Sequence, residues 1–216
     1  MPIRLLEVKS IIIETPFNKQ YFWFMKKIVF ATNNQNKLKE VRKALPKINV
    51  LSLKEVECFE ELPEEKDTLE GNAQQKAEYV YTKYGVPCFA DDTGLIIQAL
   101  NGEPGVYSAR YAGPECDSEK NMDLVLQKLI NKEHRNAHFK TIICFFNGEG
   151  PKLFDGVVEG SILKERTGND GFGYDPIFLP NGYDLSFAQM SIEKKNEISH
   201  RGIAVRKFIQ YLNSID

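Results

Sequence analysis

The sequence predicts an α/β fold, a mixed sheet flanked by helices with two lobes around a central cleft. Three observations carry that expectation. In the first half of the chain, apolar strand-like runs alternate with stretches of helical periodicity, the pattern left by strands joined through helices. Further on, "HFKTIICFF" and "KLFDGVVEGSIL" are separated only by the turn "NGEG", which pairs them antiparallel. Finally, 216 residues with 42% hydrophobic and 27% charged side chains suffice for one globular domain with a substantial core.

The elements follow in order. "KIVFAT" (27–32) reads as a buried strand and "NNQN" as the turn after it. Leu38, Val41 and Leu45 then fall on one face of a helix. "INVLSL" is a second strand. Beyond the acidic loop "ECFEELPEEKDT", Ala73, Ala77, Val80 and Tyr84 form the stripe of a second helix. "VPCFADDTGLIIQAL" is expected to give a strand, a tight turn at Gly94 and a second strand. "NGEPGVYSARYAGPE" is a loop punctuated by glycine and proline, and Met122, Val125, Leu126 and Leu129 mark a third helix. The glycine-rich "RTGNDGFGYDPIFLPNGYD" is interrupted by a short strand around Ile177. Val205, Phe208, Ile209 and Leu212 close the chain on a helix. Residues 1–24 carry short apolar patches broken by Glu7, Lys9, Glu14 and Lys19, and no small-residue cleavage site follows them. "MKKIVFATNN" begins at Met25 like a fresh start, so 1–24 is expected to be an N-terminal extension and 25–216 the domain.

Composition narrows the function. A net charge of −2 offers no basic stripe for nucleic acid. No apolar run approaches the roughly 18 residues of a membrane span. Cys58, Cys88, Cys116 and Cys144 form no C-x-x-C and suit free thiols in a reducing cytoplasm. The expected protein is cytoplasmic, with neither nucleic acid nor membrane as a partner.

Four stretches carry chemistry. "ATNNQNKLKE" puts a polar loop and Lys37 at a helix start. There the first-turn amides and the helix dipole favour an anion, although an ordinary turn with an asparagine cap reads the same way. No Walker G-x-x-x-x-G-K-[ST] pattern is present. In "FADDTG", Asp91 and Asp92 are adjacent carboxylates after an apolar run. They suit Mg²⁺, which takes one or two carboxylates plus phosphates and water, with Glu64 or Glu65 of "ELPEE" as a further ligand. Asp-Thr-Gly equally suits a turn. "TGNDGFGYDP" sets Phe172 and Tyr174, rings able to stack on a base, among glycines that let backbone approach a ligand. "EKKNEISHRG" places Lys194, Lys195, His200 and Arg201 near the start of the final helix, where the dipole disfavours cations unless an anion is bound. His134 and His138 lack a credible third ligand for zinc. Taken together, the four stretches describe a site for a polyanion with a flat ring, held through a divalent cation. A nucleotide is the natural candidate.

On these residues the sequence resembles the inosine triphosphate pyrophosphatase family, from about Lys26 to Leu212. The matching stretches are "FATNNQNKLKEV", "TLEGNAQQKA", "FADDTGLIIQALNGEPGVYSARYAG", "GFGYDPIFLPNGY" and "SFAQMSIEKKNEISHRGIA". The resemblance implies hydrolysis of deaminated purine nucleoside triphosphates (ITP, dITP, XTP) to the monophosphate and pyrophosphate by a Mg²⁺-dependent homodimer, with the substrate in the cleft between the lobes. It further implies that Thr32, Asn33, Asn34, Gln35, Asn36 and Lys37 form the triphosphate loop. Asp92 becomes the proton acceptor and a metal ligand, Glu64 the second metal ligand with Glu65 as alternative, and Thr93 a substrate contact. Phe172, Gly173, Tyr174 and Asp175 line the base and sugar pocket, which Lys195, His200 and Arg201 complete. Lys76 is a further phosphate contact, and Asp91 orients Asp92 or reaches the metal through water. The family commonly has Thr-Gly-Asn where this chain has Thr32-Asn33-Asn34. If that glycine is left-handed, asparagine replaces it at modest cost. A nucleotide sensor without turnover, or a phosphatase for small phosphoesters, are the competing classes. The paired acids Glu64 and Asp92 argue against the first, and the rings of Phe172 and Tyr174 against the second.

Overall fold

The computed structural model describes residues 27–215; the extension expected at 1–24 lies outside them. The described chain is α/β. Its strands are β1 (Lys27–Phe30), β2 (Asn49–Leu51), β3 (Cys88–Ile97), β4 (Pro104–Gly105), β5 (Asn136–Phe146), β6 (Lys152–Ile162) and β7 (Phe178–Pro180). Its helices are α1 (Gln35–Ala44), α2 (Leu69–Tyr84), α3 (Ser118–Lys128), α4 (Ile192–Ile198) and α5 (His200–Ser214). The sheet runs β2-β1-β3-β5-β6-β7, with β4 on β3. It is mixed, as expected: β1 is parallel to β2 and to β3, whereas β4 is antiparallel to β3 and β7 to β6.

The described chain divides into two compact units. The first takes residues up to Asp92, Ile142–Phe154 and everything from Val205, and the second takes Thr93–Thr141 and Asp155–Ala204. The core of the first gathers aromatic rings: Phe30 stacks on Phe89 at 4.5 Å, and Phe208 from α5 packs against Phe89, Phe145 and Phe154. Such pairs add about 0.5–1.5 kcal/mol beyond their buried area. The second unit has its own core, in which Leu95, Ile97, Met122, Val125, Phe139, Tyr174, Ile177, Phe178 and Phe187 cluster.

The helices form where local chemistry starts and stops them. Asn34 caps α1, Thr68 caps α2 and Asp117 caps α3, each accepting from first-turn amides. Gly85 ends α2 in the left-handed conformation at φ 66°. The stripe of Ala73, Ala77, Val80 and Tyr84 is buried as its spacing predicts, and Asn72 and Lys76 share that buried face.

The sequence expectation fails in one place. Gly94 makes no turn: β3 runs unbroken through it, and Gly94 is absent from the left-handed glycines. The ladder decides this, because Leu95 and Ile96 pair with Gly105 and Pro104 of β4 and hold the backbone extended. The final helix, α5, forms over the residues expected of it, and α4 precedes it. Ser199 ends α4, donating its amide to the Lys195 carbonyl, and its hydroxyl then accepts from the Gly202 amide at the start of α5. Among the described residues no helix is long and apolar enough to cross a membrane. The thiols of Cys58, Cys88 and Cys144 are free and buried, and that of Cys116 is free and exposed.

Candidate active site

In the first unit, β1 delivers the chain to the polar loop. The Thr32 hydroxyl accepts from the Asn34 amide at 3.2 Å, and the Asn34 side chain accepts from the amides of Asn36 and Lys37 at 3.0 and 3.1 Å. The cap thus occupies two of the amides at the α1 N-terminus. Asn33, Gln35 and Asn36 are exposed, and Asn33 needs no left-handed backbone, since the non-glycine residues there are Glu57, Asn101 and Cys116. Its side chain donates to the Glu60 carbonyl at 3.3 Å. Glu60 in turn accepts from Lys83 at 2.7 Å and Tyr84 at 2.6 Å, bonds that pull its carboxyl down to about 2. Through Glu60 the polar loop and the acidic loop are tied to α2, a link the spacing of the residues does not announce.

The carboxylates lie on β3 and on the acidic loop. Asp91 is buried and its Oδ1 accepts from Lys37 Nζ at 3.0 Å, so Lys37 meets an acid of β3 here. Asp92 is also buried. Burial raises its carboxyl above the usual carboxylate range, against the nearby charges of Lys76 and Lys37. Lys76, reaching in from α2, forms an ion pair with Glu64 and stands 3.8 Å from Asp92 Oδ1. Burial opposes the charge on Lys76, but Asp92, Glu64 and Asp91 together raise its ammonium pKa. Glu64 behaves conversely: burial pushes its carboxyl up, and Lys76 brings it below the ordinary value. Glu65 points elsewhere, its amide and carboxylate both held by the Gln75 side chain at 3.0 and 3.1 Å. The geometry therefore groups Glu64, not Glu65, with Lys76 and Asp92. Asn72, which sequence patterning passes over, donates to Asp92 Oδ2 at 3.2 Å.

In the second unit, Thr93 begins where the first ends, on the same strand. Its hydroxyl lies 2.7 Å from that of fully buried Thr141 and accepts from Arg201 at 3.2 Å. The glycine-rich loop reaches the short turn Asp175–Ile177. Asp175 is buried and accepts twice on Oδ2, from the Phe172 amide at 2.7 Å and from Lys195 Nζ at 2.6 Å. The ammonium of Lys195 stands 4.8 Å from the Phe172 ring centre, and the Arg201 guanidinium stands 5.5 Å from it. Gly173 takes the left-handed conformation at φ 63°, which re-aims the chain between Phe172 and Asp175. The Tyr174 ring lies in the core, with its hydroxyl donating to the Ser108 carbonyl at 2.8 Å. Of the two rings expected to stack on a base, the half-buried Phe172 is the one outside the core cluster. His200 is buried with its imidazole stacked on Phe139 at 4.5 Å.

Two ion-paired groups result. In the first unit, buried acids and ammonium groups suit a polyanion and its counter-cation. In the second, a ring flanked by cations suits a flat electron-rich ligand.

The comparisons with known proteins agree with one another. The Ham1 family model matches residues 28–211. The chain is 52% identical over 188 residues to the dITP/XTP pyrophosphatase of Flavobacterium psychrophilum, covering 87% of this chain and 99% of the relative. It is also 52% identical over 190 residues to the dITP/XTP pyrophosphatase of Flavobacterium johnsoniae, with 87% and 98% covered. Among solved structures, the Staphylococcus aureus Ham1 protein superposes with a TM-score of 0.80 at 38% identity, over 88% of this chain and 100% of that one.

Proposed function

This chain belongs to the Ham1 family, and from that premise we propose that it hydrolyses deaminated purine nucleoside triphosphates (ITP, dITP and XTP) to the nucleoside monophosphate and pyrophosphate. That activity removes such nucleotides before they enter DNA or RNA. The observation that carries the reading is the group of half-buried Glu64 with buried Lys76 and Asp92, in a chain 52% identical to dITP/XTP pyrophosphatases.

The residues fit a divalent cation, which we assign as Mg²⁺. Glu64 and Asp92 offer the oxygen donors a hard cation takes, and the ammonium of Lys76 already occupies positive ground beside both. Among the described residues no group of three or more His, Cys, Asp or Glu is arranged to hold a metal. When bound, Mg²⁺ offsets phosphate charge and stabilises the charge developing on the transferring group.

The protein's own residues do the rest. Asp92 accepts the proton of the attacking water, and its raised pKa makes it a stronger base than a solvated aspartate. Lys37 and Lys76 face the triphosphate along with Thr32, Asn33, Asn34, Gln35 and Asn36, and stabilise the leaving pyrophosphate. Thr93 contacts the substrate beside Asp92. Phe172 stacks on the base, Gly173 and Asp175 shape the base and sugar pocket, and Tyr174 anchors that loop from the core. Lys195, His200 and Arg201 complete the pocket, and Arg201 or His200 supplies donors to the 6-oxo group of hypoxanthine or xanthine. Adenine's amine leaves those donors unpaired, at a cost of roughly 1–3 kcal/mol. We assign the active form to a cytoplasmic homodimer, with residues 25–216 as its catalytic domain.

Product analysis tests the reaction. Purified protein with Mg²⁺ is given ITP, XTP, GTP or ATP. Monophosphate and pyrophosphate are expected from ITP and XTP, with GTP and ATP largely spared. Diphosphate plus phosphate, or no preference among bases, would refute the assignment.

Placement of the second group depends on Gly156 of β6. A Cβ there would meet the His200 carbonyl, and would stand 2.7 Å from the Ala204 nitrogen. These are backbone atoms that cannot swing aside. Gly156→Ala is expected to cost about 1–3 kcal/mol by overpacking and to raise KM for ITP more than it lowers kcat. A variant with wild-type melting and KM would show that α5 does not need this close approach.

A further inference from the structure

We propose that Asn72 is a positioning residue that sets Asp92 and Glu64 in register with each other; this rests on the reaction assigned above. Asn72 lies on the buried face of α2 and is 1% exposed. A buried amide of this kind must satisfy both its ends. Its Oδ1 accepts from the Lys66 amide at 2.8 Å and its Nδ2 donates to Asp92 Oδ2 at 3.2 Å.

The orientation of the amide follows from chemistry. The Lys66 N–H can be met only by an acceptor, so the oxygen of Asn72 must face it. The NH₂ end is then aimed at Asp92, and it can be received there only by a carboxylate oxygen. One backbone N–H on the acidic loop, remote in sequence from β3, thereby dictates which end of the amide meets the acid.

Two consequences bear on the reaction. The oxygens of Asp92 are given separate tasks: Oδ2 is held by Asn72, while Oδ1 faces Lys76, which lies one helical turn further along α2. The acidic loop is fixed by the same side chain, because Lys66 is two residues beyond Glu64. Gln75 adds a second clamp on that loop through Glu65. Asn72 therefore bonds both to Asp92 and to the backbone of the segment bearing Glu64, a neutral bridge beside the ion pairs that Lys76 makes with the two acids. Partners of this kind, one step removed from a cation, typically change metal affinity or activity by about 10- to 100-fold when lost.

The test uses the full chain with Asn72→Ala, read by Mn²⁺ titration without nucleotide and by steady-state hydrolysis of ITP with Mg²⁺. Mn²⁺ affinity is expected to weaken by about 10- to 100-fold, with kcat falling by a similar factor and KM for ITP changing less than about twofold. In an Asp92→Asn background, Asn72→Ala is expected to lose clearly less Mn²⁺ affinity than in the wild-type background, because only its hold on the Glu64 loop remains to be lost. Wild-type Mn²⁺ affinity in the single variant, or an equal loss in both backgrounds, overturns the proposal. Should Asn72→Ala fail to fold, Asn72→Asp keeps the shape and the acceptor for Lys66 while removing the donor to Asp92. It is expected to lose kcat by at least about 10-fold, and a wild-type kcat overturns the proposal equally. A wild-type protein that binds Mn²⁺ but releases no pyrophosphate from ITP would sink the reaction assignment alone, since the Mn²⁺ comparison still decides the role of Asn72.

Discussion

Asp92→Asn is expected to lower kcat for ITP hydrolysis by about 10²- to 10⁴-fold, the range associated with losing a positioned general base. The substitution keeps the shape of the side chain and removes only its basicity and charge. The fold should tolerate it. Burial already disfavours the charge on Asp92, the Asn72 amide can still donate to the oxygen of the new carboxamide, and Lys76 keeps its ion pair with Glu64. The check is pyrophosphate release alongside a thermal melt. A cooperative transition with turnover lost is the expected pair of results, and near-normal turnover would remove Asp92 as proton acceptor.

Asp175→Ala is expected to be the most damaging change to stability in the second group, at about 3–5 kcal/mol. Both side chains of the Asp175–Lys195 pair are only 3% exposed. Removing the acid leaves an ammonium buried without the partner 2.6 Å away, and the Phe172 amide loses its acceptor as well. Denaturant unfolding should show the midpoint shift, and KM for ITP should rise because Lys195 and Phe172 lose their common anchor. Pairing Asp175→Leu with Lys195→Met separates the two effects. An apolar pair of similar volume is expected to recover most of the stability but not the KM. If it recovers both, the pair is structural and Lys195 does not contact substrate.

Much of the fold was legible because it depends on local pattern. Helices α1, α2, α3 and α5 formed where apolar residues repeat at helical spacing and where Asn34, Thr68 and Asp117 cap them. The parallel strands and the later hairpin followed from the alternation of runs and the short "NGEG" connection. The candidate residues were legible for a different reason: carboxylates, glycines, rings and cations stand in an order that resembles one family, and the Ham1 match over 28–211 bears that resemblance out.

What stayed hidden depends on partners remote in sequence. "DTG" looks like a turn in isolation, yet β3 runs through it, held extended where β4 pairs with the Leu95 and Ile96 that follow. "ELPEE" offers two equivalent acids until Lys76 selects Glu64 and Gln75 selects Glu65. Phe172 and Tyr174 look interchangeable until the second core takes the tyrosine. Asn72 has no signature at all, since a lone amide beside alanines on a helix stripe resembles any tolerated polar residue. The sequence by itself determined the class of fold, the order of its elements and the inventory of chemical groups, because periodicity, capping and residue type are properties of short stretches of chain. Only the tertiary structure decided which acid meets which ammonium, and which amide holds Asp92. Those choices are made by burial and by hydrogen bonds between residues as far apart as Asn72 and Asp92, which no local pattern encodes.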